Sequence, residues 1–281
     1  MKRDARLKAL SEFLRSKRAE IDPVSAGFTA GSRRRTPGLR REEVAQLAGV
    51  SPTWYTWLEQ GRDISVSASV LDCVAAALRL NEDERKYIHS LAKESGPAAA
   101  PLKDFSAEMT PSLQKIVQEL RFCPCIISDR RCRIVGWNDA ASLVFMDFER
   151  IPAEQRNIIE LLFERKEFRR LSVNWEQFAG GFLAIFRAYY GQYAQDDWYE
   201  GFIGEMKARH PEFRRLWEQS QVSTAPDVLL EFRHAKAGKM LFHLTSLQVQ
   251  GESDLRCSIY TPAPDTATES KLRKRMEKNG E

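Results

Sequence analysis

The stretch Leu39–Arg62, LRREEVAQLAGVSPTWYTWLEQGR, decides how this chain reads. Arg40 to Ala48 suits one short helix, with Val44, Leu47 and Ala48 on its inner face. Gly49 ends that helix, because a sharp turn between two helices needs a residue that tolerates positive φ. Ser51 then caps a second helix, and Pro52 sits in its first turn, where a missing N–H costs nothing. A helix, a tight glycine turn and a capped second helix make the unit that lays its second helix in the major groove of DNA. Ala45, Gly49, Val50, Ser51, Leu58, Glu59 and Gly61 together are far more specific than any one of them.

Outward from this unit the apolar spacing stays helical. Leu7, Leu10, Phe13 and Leu14 recur at three and four residues, as do Val70, Val74, Ala77 and Leu78, and again Ile88, Leu91 and Ala92. The expected head is all-α, with five short helices. Small residues between two prolines at 95–101, SGPAAAP, read as a linker.

Beyond the linker the pattern mixes. PSLQKIVQELR at 111–121 reads as a helix capped by Thr110. Residues 125–128 and 132–137 read as strands around an Asp129-Arg130-Arg131 turn. Helical stretches follow near 139–147, 157–164, 175–193, 197–207 and 211–218, then strands at 228–234, 239–250 and 255–260. Helices set within one strand system suggest α+β. The expected organisation is a DNA-binding domain at 1–95, a linker at 96–109, an α+β domain at 110–265 and a polar tail at 266–281. That tail either frays or forms a final short helix.

Composition narrows the classes. With 281 residues the chain can hold two domains, and 43% hydrophobic residues supply ordinary cores. The net charge of +4 is uneven: Lys and Arg outnumber Asp and Glu by 17 to 13 in residues 1–96 and balance them at 26 each afterwards. Only the first third therefore carries a field suited to a polyanion, which alone is weak evidence. No apolar run approaches the roughly 20 residues of a membrane span, and the start MKRDARLKAL lacks a signal core. Five cysteines without an even framework fit free thiols in a reducing cytoplasm.

Residues 31–71, GSRRRTPGLRREEVAQLAGVSPTWYTWLEQGRDISVSASVL, resemble the Cro/repressor-type (XRE-like) helix-turn-helix family, and more narrowly its branch joined to an MmyB-like ligand-binding domain. The resemblance implies a lambda-repressor-like head in which Ser51, Pro52, Thr53, Thr56 and Trp57 face DNA. Thr53 and Thr56 would bond base edges or phosphates, and Trp57 would meet thymine methyls or sugars. This face lacks the Gln, Asn and Arg common in the family. Trp54 and Tyr55 read as packing residues instead. Arg40, Arg41 and Arg62 read as phosphate contacts, against the plainer reading of a solvated surface. Arg18 and Glu59 match an internal salt bridge of the family, a structural role. The long loop at 21–38 carries Arg33, Arg34 and Arg35, suited to a phosphate stripe or a narrow minor groove, or else a solvated charge run.

FCPCIISDRRCRIVGWNDAASLVF at 122–145 resembles the strand-strand-helix opening of a PAS-like domain, with Asn138 capping the helix. HPEFRRLWEQSQV and FRHAKAGKMLFHLTSLQV resemble later segments of the MmyB-like domain. The resemblance implies a cavity for a small apolar or amphipathic, fatty-acid-like ligand. Trp137, Asn138, Phe145, Trp175, Phe178, Phe182, Trp217 and Tyr260 are the expected lining, with Arg233 and His234 orienting the ligand. Aromatic residues fill cores as well as pockets, and sequence does not separate the two. No cofactor is implied beyond such a ligand, and no catalytic motif is present. The Cys123, Cys125 and Cys132 spacing does not match a zinc site and reads as free thiols, with redox sensing the lesser alternative. The expected partners are double-stranded DNA with a palindromic operator, a second copy of the chain and a small-molecule effector, on the nucleoid of a bacterial cytoplasm, without a membrane. A constitutive DNA-binding protein whose C-terminal domain only dimerises remains the alternative, and an enzyme fused to a DNA-binding head a third.

Overall fold

The computed structural model describes residues 2–29, 38–92, 109–193, 196–219, 221–222, 229–249 and 254–279. In chain order the elements are α1 (Lys2–Glu20), α2 (Arg41–Ala48), α3 (Pro52–Glu59), α4 (Ala68–Ala77), α5 (Glu82–Ala92), α6 (Pro111–Glu119), β1 (Cys125–Ser128) and β2 (Ile134–Trp137). Then come α7 (Asp139–Val144), α8 (Ile158–Glu164), α9 (Lys166–Leu171), α10 (Trp175–Gln192), α11 (Asp197–Arg209) and α12 (Pro211–Glu218). The chain closes with β3 (Leu229–His234), β4 (Gly238–Val249), β5 (Leu255–Pro262) and α13 (Thr268–Asn279). These elements form two compact units, Met1–Pro101 with Arg187–Ser223, and Leu102–Phe186 with Thr224–Glu281.

The first unit starts with the five helices expected. Leu10, Phe13 and Leu14 of α1 are buried with Val44, Tyr55, Leu58, Val74, Ile88 and Leu91. One expectation needs correction: Leu47 is 44% exposed, while Ala45 is fully buried. At about 100° per residue, Val44, Ala45 and Ala48 make the inner stripe of this eight-residue helix and put Leu47 on its outer shoulder. α5 opens on a reciprocal cap, with the Glu84 amide donating to Asn81 Oδ1 and the Asn81 amide donating to Glu84 Oε2, both at 2.9 Å.

Residues 187–223, read from sequence as part of the C-terminal domain, group with these helices. Their apolar face includes Tyr199, Phe202, Met206, Phe213 and Trp217. Phe213 and Trp217, four residues apart on α12, stack at 5.7 Å with ring planes 8° apart.

The second unit is α+β around a five-stranded antiparallel sheet in the order β2-β1-β5-β4-β3. The β1–β2 turn falls where the sequence placed it, with a register shift after Ile127 and Cys132 at φ 62°. Cys125, Ile127, Leu255 and Cys257 pack on Val117 of α6, so the alternation of strand residues gives this face its own small core. A second, aromatic core joins strands and helices. Phe145 lies 4.8 Å from Tyr260, 5.7 Å from Phe232 and 5.8 Å from Phe168, and Phe232 lies 5.3 Å from Phe178. The polar C-terminal segment forms α13, which buries Thr268 and Leu272, and the Thr268 hydroxyl accepts from the Leu241 amide at 2.9 Å.

Candidate nucleic-acid interface and ligand cavities

Local chemistry shapes the helix-turn-helix. Gly49 sits at φ 66° and ends α2, with its own amide bonded to Gln46 O and the Val50 amide bonded to Ala45 O at 3.0 Å. This pair of bonds satisfies two of the last free carbonyls of α2 in the left-handed turn that glycine tolerates. The Ser51 hydroxyl accepts from the Trp54 amide at 3.1 Å, and Pro52 takes the first position of α3.

Glu59, the last residue of α3, is fully buried and anchors that helix. Arg18 Nε and Nη2 donate to its two oxygens at 2.5 and 3.0 Å, and Arg41 Nε donates to Oε1 at 2.8 Å. Arg18 also donates to Leu39 O at 2.6 Å, and Ser11 Oγ to Glu59 O at 2.6 Å. Helix α1 thereby ties α3 and the segment leading into α2. Burial alone would raise the Glu59 pKa, but Arg18 and then Arg41 reverse it and hold the carboxyl below its ordinary value.

The cap Ser51 and the outward residues Pro52, Thr53 and Trp57 of α3 are all exposed. Tyr55 is fully buried, and Trp54 half-buried. The Thr56 hydroxyl donates to Pro52 O at 2.8 Å, so toward a base edge it retains only acceptor capacity. The Arg62 guanidinium lies over the Trp57 ring at 5.6 Å, joining two residues of the expected contact set. Arg40 is exposed at the start of α2. Arg41 is half-exposed and spends Nε on Glu59, a structural role that sequence reasoning missed because its partner stands 18 residues away. Arg33, Arg34 and Arg35 lie outside the described residues.

The expected ligand set does not converge on one cavity. Phe145, Phe178 and Tyr260 belong to the aromatic core of the second unit. Phe182 packs on Phe178 at 5.3 Å, and Trp175 on Phe163 at 5.2 Å with its indole N–H donating to Leu162 O. Trp217 belongs to the first unit. Trp137 and Asn138 border a cavity of about 570 Å³ with Met109, Gln118 and Arg121, and His234 borders another of about 530 Å³. Arg233 is exposed on β3.

Two of the polar nominees are committed to the fold. Asn138 Oδ1 accepts from the Ala141 and Cys125 amides at 3.0 Å, and Nδ2 donates to Leu120 O and Cys123 O at 2.9 Å and Val117 O at 3.3 Å. His234 Nδ1 accepts from the Ala237 and Lys236 amides at 3.1 and 3.3 Å, closing the β3–β4 turn. Burial lowers the His234 pKa, which keeps this ring a neutral acceptor. Burial also pushes the Cys125 thiol up to about 12 and raises those of Cys123 and Cys132, so none is a ready thiolate. Among the described residues no cluster of three His, Cys, Asp or Glu side chains could hold a metal ion, and no helix is long and apolar enough to cross a membrane.

Comparison with known proteins gives both parts an affiliation. The model of the MmyB-like transcription regulator ligand binding domain matches residues 109–274. A helix-turn-helix domain model matches residues 25–87. No curated protein matches the chain.

Proposed function

Because this chain belongs to the MmyB-like transcription regulators, we propose that it binds DNA sequence-specifically through α3 and answers to a small ligand held by its C-terminal domain. The observation that carries this reading is the presentation of α3. A glycine turn and a serine cap aim it, a buried carboxylate fastens its end, and Thr53 and Trp57 stay exposed. Thr53 and Thr56 read bases in the major groove. Arg40, Arg62 and the Arg33–Arg35 run meet phosphates, and Arg41 does so with the part of its side chain left free by Glu59. The protein acts as a homodimer on a palindromic operator with half-sites about one helical turn apart, on the bacterial nucleoid. Its ligand is apolar or amphipathic, of the fatty-acid kind, and its occupancy shifts the affinity for DNA.

A second reading also has support. The aromatic rings around Phe145 and Phe232 pack edge to face at 4.8 to 5.7 Å, as a filled core does. In that case the C-terminal domain only dimerises and the protein binds DNA constitutively. Native mass spectrometry of the freshly purified full chain, followed by denaturing extraction, separates the two. A stoichiometric amphipathic adduct supports the ligand-responsive regulator. A bare dimer whose melting temperature fatty acids leave unchanged supports the constitutive one.

A further inference from the structure

Within the first unit, α1 and the segment from Arg187 to Trp217 border a cavity of about 200 Å³. At roughly 30 Å³ per water this is room for six or seven waters, or for one compact organic molecule. Its apolar wall includes Ala9, Ile203 and Trp217. Arg187 also borders it, although only 5% of that residue is exposed. The guanidinium lies 3.9 Å from the centre of the Trp217 ring and donates to the Trp217 carbonyl.

What Arg187 lacks is a counter-ion. Among the described residues no carboxylate pairs with it; Glu12 acts on it only through space, and the Tyr87 hydroxyl lies beside it. Burial lowers its pKa from the ordinary value, the mark of a cation whose lost hydration is not fully replaced. Buried charges are ordinarily paired. Four other charged residues border the cavity, Lys8, Lys207, Glu12 and Glu200, and they cancel in formal charge. Arg187 therefore sets the sign of the site, and it neutralises one negative charge.

We propose that this cavity is an effector site on the DNA-binding unit, where Arg187 receives the carboxylate of a small monocarboxylic acid and the walls enclose an apolar body the size of an aromatic ring. Arginine suits the task, since its planar fork grips a carboxylate through two parallel hydrogen bonds. The cavity's lining lies wholly in the first unit, although residues 187–217 fall within the stretch that the ligand-binding-domain model matches, and it is distinct from the cavities of the second unit. Its position gives it a route to DNA: Ala9 lines the cavity, while Ser11 and Arg18 of the same helix hold Glu59 at the end of α3. An acid bound here orders the helix that fastens the recognition helix.

Calorimetric titration of the full chain with benzoate, and with benzamide as the neutral isostere, tests the site. Benzoate should saturate at one per chain and benzamide should not bind. Gly204 borders the cavity, and a Cβ there meets nothing within 4 Å, so Gly204→Leu adds bulk at this wall from an unobstructed Cβ. It should weaken benzoate at least tenfold with the melting temperature retained, and Arg187→Gln should do the same if it folds. Absence of saturable benzoate binding, equal binding of benzamide, or undiminished binding by Gly204→Leu would each overturn the proposal. A fatty-acid adduct carried by the C-terminal domain should be the same in Gly204→Leu, so failure of this site and failure of the regulator reading remain distinct.

Discussion

Replacing Arg18 by methionine tests the anchoring of the recognition helix. The change keeps most of the apolar stem and removes the guanidinium that bonds both Glu59 oxygens at 2.5 and 3.0 Å. Breaking a buried ion pair by removing one partner costs about 3–5 kcal/mol, because the remaining charge stays buried. Arg41 still donates to Oε1, so the lower end applies, about 3 kcal/mol. Against a typical total of about 5–15 kcal/mol this is a large share. It should lower the melting temperature of the first unit by about 6–12 °C at 2–4 °C per kcal/mol. The pH dependence sharpens the test. In the native protein the Glu59 pKa is depressed, so its contribution is present above the ordinary carboxylate value of about 4.3 and lost as pH falls through the folded value. In Arg18→Met burial takes over and the folded pKa rises, so the carboxylate costs stability at neutral pH and the deficit shrinks toward pH 4. The double variant Arg18→Met/Glu59→Leu should recover most of the loss. Thermal and denaturant melts at pH 7 and pH 4 decide it. A loss below about 1 kcal/mol, or a deficit equal at both pH values, would refute the reasoning.

Other expectations follow from the same geometry. Asn138→Ala strands buried amides and carbonyls at the start of α7, where each orphaned group costs about 1–3 kcal/mol, so urea melts should show a loss of about 3 kcal/mol or more. Arg40→Ala should weaken binding to all DNA sequences alike and lower the salt slope by about one, whereas Thr53→Ala should change base preference at an unchanged slope. Fluorescence anisotropy across salt concentrations and operator variants separates these, and like behaviour of the two would void the division between positioning and reading contacts. Arg85 and then His89 hold the half-buried Asp72 carboxyl down to about 2. Its tie between α4 and α5 should persist above the ordinary Asp value and fail as pH falls through about 2, visible as its carboxyl titration by NMR. A midpoint near 4 would contradict the ion pair.

How far the sequence carries this account depends on the range of the interactions involved. The helix-turn-helix was legible because its signals are local: Gly49 needs its positive φ, Ser51 its neighbouring amide, Pro52 its first-turn position. Leu47 was misplaced because an eight-residue helix offers two turns, too few for spacing alone to orient. The Arg18–Glu59 pair spans 41 residues and was reachable only by resemblance, and the second partner, Arg41, was not reached at all. The strands and their turns were legible from alternation, but the grouping of residues 187–223 with the N-terminal helices was not, since periodicity says which face is apolar and not what covers it. The same limit explains the scatter of the aromatic ligand set. Phe145 and Tyr260 look alike in sequence whether they fill a core or border a cavity, and here they pack edge to face at 4.8 Å.

The central claim is that α3 reads DNA sequence, and selection from random duplexes by the full-length chain tests it most directly. The account predicts enrichment of a palindromic motif with half-sites about one helical turn apart, with base preference altered by Thr53→Ala. Recovery of unenriched random sequence, with binding that tracks only salt, would contradict it.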